Sequence, residues 1–311
     1  MITIDKGMAH SSINSSTRTS GLYQVGVTGK IYEEHTIRNC YGVYLENVHN
    51  CLFPLLDLRN VYSLNMRGCD GNTFKKVLID DSWVGVKLNF LCSSNRFEQV
   101  ISSNIKDLDP NLTSPNGDGI IIDKSDCTDN WFGTVKCTDA ADSGLDQQGT
   151  RTVIESYEAS GNKHASKLWG STTINKYVSY NHTGNSILCI SGEHTIKNAH
   201  LKESLQANIK MGLGGYRQLA KKLTIDGYWD KATLDNPDTN STLIKNLTIG
   251  EPPIGDYKTM YDELLVKYDA LRIDLANAVS SANTQEAKIS ALETELASVK
   301  AKLDQIKAII G

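Results

Sequence analysis

The 311-residue sequence lacks three things, and each absence removes a class of protein. There is no excess of basic charge: 36 Asp and Glu outweigh 32 Lys and Arg, for a formal net charge of −4. Without a positive field to gather phosphates, nucleic acid is not an expected partner. There is no apolar run in the first 25 residues, Met1 to Val25, which are polar and rich in Ser and Thr, so neither a signal peptide nor membrane insertion is expected. Cysteine pairing signals are missing too. The 7 cysteines (Cys40, Cys51, Cys69, Cys92, Cys127, Cys137 and Cys189) contain no Cys-x-x-Cys and no zinc-like spacing, and their number is odd. They read as small buried hydrophobes in a packed wall.

What the sequence has is a repeat. The runs Gly42-Val-Tyr-Leu, Ser63-Leu-Asn-Met, Gly85-Val-Lys-Leu, Gly119-Ile-Ile-Ile, Gly144-Leu-Asp-Gln, Ala165-Ser-Lys-Leu, Ser186-Ile-Leu-Cys and Ala207-Asn-Ile-Lys fall into one frame, mostly about 21 to 25 residues apart. A second ladder runs beside it through Ile37, Phe74, Phe97, Phe132, Val153, Ile174, Ile196 and Ile244. Short β-prone runs at such a period, separated by Asn, Asp, Ser and Gly, indicate a parallel β-helix: no turn of the chain buries its own apolar face, and stacking does it instead. Residues 31–250 are therefore expected to form about ten rungs, with 1–30 as a tail or cap and 104–117, carrying Pro110 and Pro115, as a projecting loop.

Residues 251–256, with Pro252 and Pro253, read as a linker. Beyond them no Gly or Pro occurs before Gly311, and apolar residues take a 3,4 spacing. With Ile289 at position a, the a positions include Tyr268, Leu275, Leu296 and Leu303, and the d positions Leu271, Leu292, Val299 and Ile306. That pattern predicts a C-terminal α-helical coiled coil over 257–311, one rod about 75 Å long, and a parallel homotrimer.

Alternation along a strand sorts the frame into two files. Val43, Leu64, Val86, Ile120, Leu145 and Ile187 face inward. Tyr44, Asn65, Lys87, Ile121, Asp146, Lys167, Leu188 and Ile209 face outward, on rungs about 4.8 Å apart. Asp146 and Lys167 are thereby neighbours, with Asp118 and Asp142 close by. An oxygen-rich cluster of this kind suits a hard cation such as Ca2+, and equally a solvated acidic face that offsets one lysine. Trp169 shares the outward facing of Lys167 and is a candidate to stack on a sugar; His164 aligns with Ser143 one rung on.

The segments Cys137-Thr-Asp-Ala-Ala-Asp142-Ser-Gly-Leu-Asp146, Ser160-Gly-Asn-Lys-His-Ala-Ser-Lys167-Leu-Trp-Gly170 and Val178-Ser-Tyr-Asn-His resemble the core of the family 9 polysaccharide lyases, right-handed parallel β-helix enzymes. The resemblance covers about residues 115 to 200. It implies calcium at Asp118, Asp142 and Asp146, with Ser143 standing where the family has a further Asp, and Lys167 as the base that removes the C5 proton of a uronic acid in β-elimination. Lys87, His164 and Trp169 are the expected substrate contacts. Taken with the heptads, it implies a trimeric lyase of an acidic polysaccharide on a phage tail spike or outside the cell. The alternative is a non-catalytic glycan-binding adhesin of the same architecture.

Overall fold

The computed structural model describes residues 1–8, 19–106, 117–202, 204–213, 216, 219–230, 233–235, 241–249, 268 and 286–310. They belong to two units, 1–250 and 251–311. Among them no helix is long and apolar enough to cross a membrane.

The first unit is a β-solenoid of about 9 turns, whose described residues form 21 strands paired in parallel. Its inner file follows the period of the sequence. Val43 pairs with Leu64, Leu64 with Val86, Val86 with Ile120 and Ile120 with Leu145, all fully buried. Within residues 1–30, expected as a tail or cap, strands Ile2–Asp5 and Leu22–Val25 pair with the two ends of strand His35–Glu46. The loop expected over 104–117 lies mostly outside the described residues.

The second ladder is shifted from its expected line in three places. Phe53, Phe74, Phe97 and Phe132 stack at 4.6 to 4.8 Å with rings nearly parallel, each pair contributing about 0.5–1.5 kcal/mol beyond burial. Phe132 continues onto Ile154 rather than Val153, then Ile174, Ile196 and Ile225. Ile37 stands on Leu58 in a neighbouring file, and Ile244 pairs with Thr224 and is exposed. Adjacent β-branched residues such as Val153 and Ile154 fit either face by composition, so only pairing decides which turns inward. The outward file also slips once. Ile187 pairs with Ile209, 22 residues on, and Leu188 with Lys210, so Ile209 is buried and Lys210 takes the outward place.

All 7 cysteines are free and buried. Three of them precede a buried asparagine by three residues, at Asn72, Asn95 and Asn130. These amides form a ladder inside one corner: Asn72 Nδ2 donates to Asn95 Oδ1 at 3.0 Å and Asn95 Nδ2 to Asn130 Oδ1 at 3.1 Å. Each also donates to a main-chain carbonyl, of Val48, Cys69 and Cys92. Buried polar groups persist because they are paired in this way.

In the second unit, helix Glu286–Ile310 buries Val299, Leu303 and Ile306, which are d, a and d positions of the heptads. Tyr268 packs against this face beside Leu292 and Leu296. One unbroken helix would hold Tyr268 and Val299 roughly 45 Å apart. This packing of Tyr268 on the helix face is not the geometry of the single rod expected over 257–311. The rest of 251–285 lies outside the described residues.

Candidate functional site

Strands Ser143–Gln147 and His164–Leu168 pair in parallel and set Asp146 opposite Lys167. Gly119 and Gly144 at the frame position let the rungs approach; a Cβ on Gly119 would lie 2.8 Å from the Gly144 carbonyl oxygen. From inside, Tyr157 Oη donates to the Ala165 carbonyl at 2.5 Å and Tyr177 Oη lies 2.9 Å from Ser166 Oγ, bracing the strand that carries Lys167. Neither tyrosine was singled out in the sequence, although both occupy matching places in successive rungs, where they pair.

Three carboxylates converge on one ammonium. Lys167 Nζ lies 2.7 Å from Asp142 Oδ2, 3.2 Å from Asp146 Oδ2 and 3.6 Å from Asp118 Oδ1. Asp118 Oδ1 also accepts the Ser143 amide hydrogen at 2.8 Å and the Ser143 hydroxyl. Lys163, at the rim, reaches 3.8 Å from Asp142 Oδ1. The group sits on the outward face yet is enclosed: Asp118 is fully buried and Lys167 is 8% exposed.

Enclosure and charge act together on the proton affinities. Burial pushes the Asp118 carboxyl up to about 7, opposed by Lys167 and reinforced by Asp146 and Asp142. Burial raises Asp146 as well. Burial alone would lower Lys167, but Asp118, Asp146 and Asp142 outweigh it, and its affinity for the proton ends above that of a free lysine. Lys167 is therefore a cation here, which is the opposite of what a general base requires.

The residues do not fit a calcium ion in this arrangement. The point on which the three carboxylates converge is filled by the Lys167 ammonium, and a divalent cation cannot share it. Among the described residues no group of three or more His, Cys, Asp or Glu is arranged to hold a metal. One feature runs the other way: Asp118 Oδ2 and Asp146 Oδ1 are buried without a hydrogen-bond partner, so the single ammonium leaves the cluster under-compensated.

The remaining predicted residues lie around this centre. His164 pairs with Ser143; its Nδ1 accepts the Asn185 amide hydrogen at 3.1 Å, and burial lowers its affinity for a proton, to a pKa of about 4, so it is neutral. Trp169 is half-buried and meets Tyr216 edge-on at 4.9 Å. Lys87 is not part of the cluster. It stands in the same outward file, beyond Ile121, and pairs with Asp123 at 3.3 Å.

That file continues away from the cluster in a different character. Tyr23, Tyr44, Asn65 and Lys87 follow one another on consecutive rungs, and all four are at least partly open to solvent. Tyr23 stacks on Tyr44 at 5.5 Å with rings 10° apart and is 59% exposed. Tyr44 meets Tyr41 edge-on at 6.4 Å, and Asn65 Nδ2 donates to Tyr41 Oη at 3.0 Å. No family model, curated protein or solved structure matches the chain.

Proposed function

We propose that this solenoid binds a glycan chain along its outer face without cleaving it. The observation that carries the reading is the open row Tyr23, Tyr44, Asn65 and Lys87, one side chain per rung. The rung spacing of about 4.8 Å is close to the rise of an extended pyranose chain. A sugar polymer laid along the axis meets aromatic rings first, then an amide and an ammonium. Aromatic rings offer sugars an apolar face with a polar tip. An exposed extracellular or virion-tail surface suits such a binder and belongs to the same proposal.

The test is retention on immobilised polysaccharides, neutral and acidic, by the full chain and by Tyr23→Ala and Tyr44→Ala. Binding lost in both variants supports the reading. Binding that is absent in the parent, or untouched in both variants, overturns it.

A second reading, the acidic-polysaccharide lyase, is favoured by one observation: Asp118, Asp142, Asp146 and Lys167 do meet on adjacent rungs. It requires Lys167 to give up a proton that three carboxylates hold in place, and a path for a uronic acid into an enclosed cluster. Both requirements count against it.

A further inference from the structure

One outer face is built from strands that bear neither the open row nor the enclosed cluster. Its middle file is Val153, Thr173, Thr195, Thr224 and Ile244, paired rung on rung and each half-buried or exposed. These side chains are short and β-branched, as strand positions favour, so the face is flat. Before Val153 the same file holds Trp131. Its ring lies down on the sheet: a Cβ on Gly133 would meet Trp131 Cη2 at 2.9 Å, and the Arg96 guanidinium sits 3.6 Å over the ring.

Two further files flank the middle one, two residues before it and two after it on each rung. The leading file is Arg151, Ser171, Glu193, Lys222 and Thr242; the trailing file is Glu155, Asn175, Lys197, Asp226 and Asn246. All are half-buried or exposed. In rung order the leading file is positive, neutral, negative, positive, neutral, and the trailing file is negative, neutral, positive, negative, neutral. Each is the charge inverse of the other. Strand propensity accounts for the middle file but not for this inversion. The pairs made within the chain, Lys222 with Glu193 at 3.9 Å and Arg151 with Asp129 at 2.6 Å, are open to solvent and worth about 1 kcal/mol or less, so these charges can take a second partner.

We propose that this face joins two copies of the chain in a parallel dimer, about a two-fold axis that runs along the solenoid over the middle file. That axis sets the leading file of one copy on the trailing file of the other at the same rung. Arg151 then meets Glu155 of the second copy, Glu193 meets Lys197, Lys222 meets Asp226, and neutral residues meet neutral ones. The middle file meets itself, threonine on threonine, at the separation of about 10 Å that stacked sheets with short side chains allow. Trp131 and Arg96, residue types that anchor interfaces, extend the contact, and the charged files form a rim that sets register. An antiparallel pairing centred between the Glu193 and Lys222 rungs also joins opposite charges, but it carries Arg151, Glu155 and Trp131 past the last described rung of the other copy and uses less of the face.

The proposal is independent of the glycan reading. It is tested by sedimentation of the full chain at concentrations up to about 100 µM, in the parent, in Lys197→Glu and in the double variant Glu193→Lys with Lys197→Glu. Both side chains are exposed, so the core is not disturbed. The parent is expected to form a dimer. Lys197→Glu sets like charges together at both symmetry-related contacts and is expected to weaken the dimer by about tenfold or more. The double variant only exchanges the two files at one rung and is expected to restore it. A parent that stays monomeric, or an assembly unmoved by Lys197→Glu, overturns the proposal. A loss that the double variant fails to restore also overturns it, since antiparallel copies would set Lys197 on Asp226.

Discussion

Along one outward file of the solenoid, the rungs from Tyr23 to Lys87 are open, while those from Ile121 through Asp146 and Lys167 to Leu188 are enclosed. Both stretches arise from the same alternation and the same spacing, and both contain a lysine beside a carboxylate. Lys87 pairs with Asp123 while still reaching solvent; Lys167 is shut in with three carboxylates. The same residue type on the same face thus has two roles. Where solvent reaches it, the lysine is a contact for something outside. Where solvent is excluded, it is the countercharge that keeps buried carboxylates from repelling one another.

The largest expected difference is in stability. Lys167→Ala strips the countercharge from an enclosed cluster, and removing one partner of a buried ion pair costs about 3–5 kcal/mol. Lys87→Ala breaks a partly solvated pair worth about 1 kcal/mol or less. Chemical denaturation of the two variants reads the comparison directly, and equal losses would erase it. Next is binding. Tyr23→Ala and Tyr44→Ala are expected to weaken glycan retention by about tenfold or more, a loss of about 1.4 kcal/mol, with the melting temperature of Tyr23→Ala nearly unchanged because its side chain is exposed.

Smaller is the pH dependence of the enclosed stretch. The Asp118 carboxyl is raised from 3.8 to about 7, so the folded chain holds a proton that the unfolded chain has released. The folded state therefore loses stability as pH rises from about 4 to about 7. Asp118→Asn is expected to flatten that slope in melts at successive pH values; a slope that survives the substitution assigns it elsewhere. Smallest is the effect of deleting residues 251–311, which form a separate unit. Because Val299 and Leu303 are covered within one chain, the deletion is expected to leave the oligomeric state unchanged in light scattering. A drop from trimer to monomer would return the heptads to an interchain role.

Much of the fold is legible in the sequence because a stacked rung has to repeat its inner file: the frame from Val43 to Leu145 and the opposition of Asp146 and Lys167 follow from counting. The slips at Ile154 and Ile209 do not, since one added residue in a turn exchanges the faces and leaves the composition unaltered. The asparagine ladder had a signal that went unread, the Cys-x-x-Asn spacing at Cys69, Cys92 and Cys127. Enclosure of the Asp and Lys cluster was not legible at all. Alternation says which way Lys167 points, but not what lies over it, and it is this cover, with the three carboxylates, that raises its hold on the proton. The packing of Tyr268 on the C-terminal helix is hidden for a similar reason, because a heptad seam is satisfied equally by a second chain or by its own.

The account stands most directly on whether Lys167 works as a base. The measurement is ultraviolet absorbance of the full chain incubated with a panel of uronic-acid polymers across a range of pH, with and without calcium, where each elimination leaves an absorbing unsaturated sugar. The account predicts no rise in absorbance under any of these conditions, together with retention of the chain on at least one glycan. A rise that grows with pH and disappears in a folded Lys167 variant such as Lys167→Arg would contradict it and make the enclosed cluster a catalytic centre.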